Sequence, residues 1–106
     1  MLDKLNSVES KYDELMTLLG DPAVQSDQVQ YRTHAKALAE IEPVVERFRR
    51  YKDVVTQITQ NEELAQGEDA EMRALEQEEL APLKVRAEQL IADIKLLLLP
   101  KDPNDE

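Results

Sequence analysis

The sequence contains no cysteine and no tryptophan, only two glycines, Gly20 and Gly67, and a single histidine, His34. Without cysteine there is no disulfide scaffold and no thiolate metal ligand, which agrees with a reducing cytoplasm. One histidine with neither a thiol nor a second imidazole makes no multi-ligand metal site and no nucleophile–base pair. His34 therefore reads as an ordinary helix residue, and no metal or cofactor is expected. Aromatic residues are limited to Tyr12, Tyr31, Phe48 and Tyr51, so the core must be thin and aliphatic. Basic residues are also short, 13 against 23 acids for a net charge of −10. That balance opposes a chain wrapped in nucleic acid, because phosphate binding relies on clustered Lys and Arg that release counterions. No apolar run approaches the ~20 residues of a membrane span. The longest, Ile94 to Leu99, is interrupted by Lys95, and Met1-Leu2-Asp3-Lys4 lacks the basic and apolar regions of a signal peptide.

What remains is a chain of 106 residues rich in Glu, Gln, Lys, Leu and Ala. This composition favours long helices over strands, and the length suits one domain. Apolar residues at Leu5, Val8, Tyr12, Leu15 and Leu19 are spaced by threes and fours and predict a first helix from Leu2 to Leu19. Gly20 suits a left-handed helix end, and Asp21-Pro22 a turn. Ser26 or Asp27 is placed to cap a second helix, with Gln30 completing a capping-box-like arrangement. Its apolar positions are Tyr31, Ala35, Leu38, Ile41, Val45, Phe48, Tyr51, Val55 and Ile58, with no turn signal before Gly67. Pro43 predicts a kink or break near residue 42. Asp69 caps a third helix along Met72, Leu75, Leu80, Leu83, Ala87, Leu90, Ile94 and Leu97, which ends before Pro100. The five-residue step from Leu75 to Leu80, just ahead of Pro82, predicts a local irregularity.

The predicted fold is all-α: a long antiparallel helical hairpin of kinked helices, turning at Gly67, with the N-terminal helix packed near its open end. A turn centred on Gly67 sets Pro82 opposite residue 52 and Pro43 opposite residue 91. Residues 1–99 form the helical domain, and 100–106, with Pro100 and Pro103 and no apolar residue, read as a linker.

The many carboxylates are read as solvated helix faces, since acid–base chemistry needs two of them converging in a cleft. From Asn61 to Leu80, however, eight acids face Arg73 alone, which is −7 of the total −10. This acidic tip suits a basic protein surface, and Glu71, Glu76, Glu78 and Glu79 are the candidate docking residues. The basic cluster Arg47, Arg49, Arg50 and Lys52 is expected to approach the acid-rich start of the third helix and form ion pairs across the hairpin. Phe48 and Tyr51 belong to the core rather than to a stacking platform. A generic coiled-coil adaptor is an alternative reading, and an RNA-binding arm like that of some aminoacyl-tRNA synthetases is disfavoured by the charge.

The segment from Leu96 through Leu99, Pro100-Lys101-Asp102-Pro103 and Asn104-Asp105-Glu106 resembles the junction after the N-terminal helical domain in the bacterial peptide chain release factor 1 family. Leu18-Leu19-Gly20-Asp21-Pro22, Tyr31-Arg32, Ala35-Lys36 and Leu38-Ala39 are similar to that family at corresponding places, and the resemblance covers essentially the whole chain. It implies membership of a class I translation termination factor, which hydrolyses peptidyl-tRNA at stop codons through a Gly-Gly-Gln motif and reads the codon with a Pro-x-Thr tripeptide. Neither motif occurs here. Gly20 and Gly67 are not adjacent, and no proline stands two residues before Thr17, Thr33, Thr56 or Thr59. The resemblance therefore implies a non-catalytic first domain of a factor whose later domains are missing. By the same resemblance its partners are the ribosome at the stalk base of the large subunit, the class II release-factor GTPase, and the rest of the factor in cis, in the cytoplasm and without a membrane.

Overall fold

The computed structural model describes residues 1–100, which form four helices and no strand. The expected linker over 100–106 lies, beyond Pro100, outside the described residues. Helix α1 spans Leu2–Leu19, α2 Pro22–Gln25, α3 Gln28–Leu64 and α4 Ala70–Leu98. The chain divides into two compact units, Met1–Glu46 and Arg47–Glu106.

In the first unit α1 has the predicted bounds, and its predicted face is sheltered, with Leu5 and Leu15 buried and Val8, Tyr12 and Leu19 half-buried. Gly20 departs from the expectation. It lies at φ −86°, ψ −7°, in right-handed space. Its N–H donates to the carbonyls of Met16 and Thr17 at 3.2 and 3.1 Å, so the last turn simply tightens. No left-handed reversal is needed because the chain re-enters helix at once. Asp21 accepts from the Ala23 N–H at 2.9 Å as an N-cap, and Pro22 takes the first helical position. The dipeptide read as a turn is thus the start of α2, whose Val24 is buried. Gln25 then donates through Nε2 to the Leu19 carbonyl at 3.0 Å, tying α2 back to the end of α1.

A Cβ on Gly20 would meet the Thr17 carbonyl oxygen at 3.5 Å, an ordinary contact. Gly20→Ala is therefore expected to raise stability by about 0.4–1 kcal/mol through the unfolded chain. A loss of similar size in thermal unfolding would restore the left-handed reading.

Asp27 caps α3, its Oδ1 accepting from the N–H groups of Val29 and Gln30 at 3.1 and 3.2 Å. Ser26 takes no part in that cap and donates instead to the Ala23 carbonyl. Helix α3 then continues for 37 residues straight through Pro43, so the predicted break does not occur. Proline removes one hydrogen bond, to the Ala39 carbonyl. The following turn is held by Val44 and Val45, both buried.

In the second unit the remainder of α3 and α4 are antiparallel neighbours joined through residues 65–69. Phe48, Val54, Leu90 and Ile94 are its buried side chains among the described residues. The seam of α3 takes Val54 and leaves Val55 exposed, the reverse of the expected choice. Two adjacent valines cannot be told apart by periodicity alone. Spacing back from Asn61 through Ile58 selects Val54.

On α4 a run of half-buried and buried positions, Arg73, Glu76, Leu80, Leu83, Ala87, Leu90 and Ile94, alternates by three and four, with Ile91 and Leu98 also half-buried toward its C-terminal end. Met72, Leu75 and Leu97, expected on that seam, are exposed. The five-residue step before Leu80 marks where the apolar seam stops, and α4 runs without interruption through Pro82. Leu99 is extended, at ψ 138°, as a residue preceding proline prefers.

Candidate docking surface

The hairpin tip is built by capping. The N–H groups of Gln66 and Gly67 donate to the carbonyls of Glu63 and Leu64 at 3.2 and 3.1 Å, closing α3. Asp69 Oδ1 then accepts from Glu71 N–H at 3.0 Å and Met72 N–H at 3.4 Å, opening α4. Arg73, the single base among residues 61–80, donates through Nη1 to the Gly67 carbonyl at 2.7 Å. Its guanidinium thus braces the connecting loop.

Across the hairpin Asn61 Nδ2 donates to Glu79 Oε2 at 3.1 Å. This contact fixes the register. At equal helical rise, residues 47–52 fall opposite 88–93, not opposite the acid-rich start of α4. Tyr51 accordingly lines one groove with Ala87, Glu88 and Ile91, and Pro82 another with Val54, Gln57 and Asn61. The expected pairing of Pro82 with residue 52, and of the basic cluster with the acidic tip, is corrected by this offset. The first two turns of α4 come before the Glu79 contact, so the loop midpoint is not the pairing axis. Within the basic cluster, the Lys52 ammonium lies 4.6 Å from the centre of the Phe48 ring.

Of the four candidate docking glutamates, the structure brings two together and keeps two apart. Glu76 and Glu79 are neighbours one turn apart near Asn61. Burial first, then the Glu79 charge and a hydrogen bond with it, hold the Glu76 carboxyl above the usual glutamate range. One Glu76 oxygen, Oε2, is shielded from solvent without a hydrogen-bond partner. Glu71 and Glu78 point outward, both exposed.

The raised value favours protonated Glu76 in the folded chain. Its stabilisation is full below the ordinary glutamate pKa of about 4.3 and is lost as pH rises through the raised folded value. Glu76→Gln, which stays uncharged, is expected to melt above the parent at about pH 7 and level with it at about pH 3.5. A variant that melts lower at neutral pH would contradict this.

Among the described residues no group of three or more His, Cys, Asp or Glu side chains is placed to hold a metal. His34 is half-buried on α3. No helix among them is long and apolar enough to cross a membrane.

An all-helical hairpin whose distinctive surface is a capped, acidic tip is the class of structure in hand. The family model of the PCRF domain matches residues 8–106, and the chain belongs to that family. It is 47% identical over 106 residues to peptide chain release factor 1 of Acidobacterium capsulatum. It is 49% identical over 107 residues to that of Enterococcus faecalis and 45% to that of Clostridium beijerinckii. Each match covers 100% of this chain and 30% of the relative, so the chain spans under a third of the length of these relatives. No solved structure matches the chain significantly.

Proposed function

We propose that the chain is the non-catalytic N-terminal domain of a peptide chain release factor and helps seat that factor on the ribosome during stop-codon-dependent termination. The observation that carries this reading is identity of 45–49% along the whole chain to proteins named peptide chain release factor 1. The chain supplies position, and the hydrolytic chemistry resides elsewhere in the factor. Residues 1–99 are the domain and 100–106 its linker to the rest of the factor in cis. The site of action is cytoplasmic, at the stalk base of the large subunit, with the class II release-factor GTPase as a second partner.

Charge supports the placement. A tip carrying −7 among residues 61–80 is steered toward basic ribosomal protein and away from bare RNA. Glu71, Glu76, Glu78 and Glu79 are the docking carboxylates. Sedimentation of the chain with bacterial ribosomes tests the reading. Binding should weaken with added salt and fall at least ~10-fold when all four become lysine, since exposed charges act within about a Debye length. A chain that never co-sediments, or binds unchanged after the reversal, removes the assignment.

A further inference from the structure

We infer that the outer stripe of α4's first turns, Met72 and Leu75 between Glu71 and Glu78, is the contact face for a basic protein that offers an apolar slot between cationic side chains. The inference rests on the docking reading above and names the residues that hold the partner after charge has brought it in.

The α4 seam carries the argument. Its three-and-four spacing runs back from Ile94 through Leu90, Ala87, Leu83 and Leu80 to Glu76 and Arg73. A polar pair thus occupies the two seam positions nearest the tip. Two large apolar side chains beside them are left outside, Met72 at 44% and Leu75 at 55% exposure. They lie three residues apart and so adjoin on the helix surface. Further along α4, Val85 is also exposed, at 51%. A lone exposed apolar residue is ordinary, but neighbours on one stripe flanked by carboxylates form a patch with a rim.

Charge identifies the occupant. Arg73 is held to the Gly67 carbonyl at 2.7 Å, and the ionisable groups beside Met72 and Leu75 are all acids: Glu71, Glu78 and Glu79, the last also accepting from Asn61. Phosphate backbones and anionic lipid headgroups are repelled by such a face. A protein surface with Lys or Arg around an apolar slot complements it, and the unbranched Met72 adapts to irregular contacts.

The test uses this chain and purified bacterial large ribosomal subunits. M72Q/L75Q keeps the net charge and the helix propensity, and because both side chains are exposed its thermal unfolding should match the parent. Its dissociation from the subunits should be at least ~10-fold faster with little change in association, whereas E71K/E78K should mainly slow association at low salt. L75Q alone should show a smaller effect in the same direction. Native affinity in M72Q/L75Q alongside a loss in E71K/E78K overturns the apolar contact and leaves the docking reading standing. No binding by the parent chain overturns both. Equal affinity for protein-free large-subunit RNA overturns the choice of a protein partner.

Discussion

Replacing Phe48 with alanine is expected to cost about 3–5 kcal/mol, the range for a large aromatic removed from a packed interior. Phe48 is 2% exposed and is the chain's one phenylalanine. The other buried side chains among the described residues of its unit are Val54, Leu90 and Ile94, all aliphatic and smaller. So small a set cannot collapse around the space left by a benzyl group. Domains of this size have typical stabilities of about 5–15 kcal/mol, so the loss removes much of the total. At about 4–8 °C per kcal/mol it should lower the melting temperature by about 12–40 °C. Phe48→Leu, which refills most of the volume, should recover more than half of that loss. A drop of only a few degrees in Phe48→Ala would mean that the ring is not a principal core element.

The second large effect has the opposite sign. Pro82 sits inside α4 and is exposed. Having no N–H, it leaves the Glu78 carbonyl without its helical donor, and its ring crowds that carbonyl. Proline in a helix interior is about 3 kcal/mol less favourable than alanine. Part of this is offset because proline also stiffens the unfolded chain, an effect of about 1 kcal/mol or less. Pro82→Ala should therefore stabilise the chain by about 2 kcal/mol, read as a higher midpoint in denaturant with an unchanged slope. An unchanged or lower midpoint would show that the groove Pro82 shares with Val54, Gln57 and Asn61 depends on the pyrrolidine ring.

Helix limits were legible wherever the chain is punctuated by capping chemistry. Leu19 before Gly20, Asp27 and Asp69 each marked a boundary that the structure keeps, because a side-chain carboxylate or a helix-ending glycine acts locally. The all-α class followed from composition for the same reason. Features that depend on tertiary contact were harder to read. Asp21-Pro22 has the same chemistry as a turn or as an N-cap followed by a first-turn proline, and only the burial of Val24 chooses the second. Val54 and Val55 are equivalent by pattern until Asn61 meets Glu79. That contact also sets the register, which a symmetric turn at Gly67 misplaces by several residues.

For the docking surface, the acidic composition of residues 61–80 was plain, but its division between Glu76 with Glu79 and the outward Glu71 and Glu78 was not. A signal for Met72 and Leu75 was present. Extending the seam back from Leu80 by fours and threes lands on Glu76 and Arg73, so the apolar residues that fall off that phase must face outward. Family membership was legible chiefly in the stretch from Leu96 to Glu106, supported by short segments such as Leu18-Leu19-Gly20-Asp21-Pro22.

Stop-codon-dependent peptide release is the measurement closest to the central claim that this chain contributes position and no chemistry. On ribosomes loaded with peptidyl-tRNA and presenting a stop codon, the chain alone should release nothing above background. Substituted for the matching segment of the Enterococcus faecalis factor, to which it is 49% identical, it should support release within a few-fold of the native rate. Release by the chain alone, or a folded chimera that binds no ribosome and releases no peptide, would contradict the account.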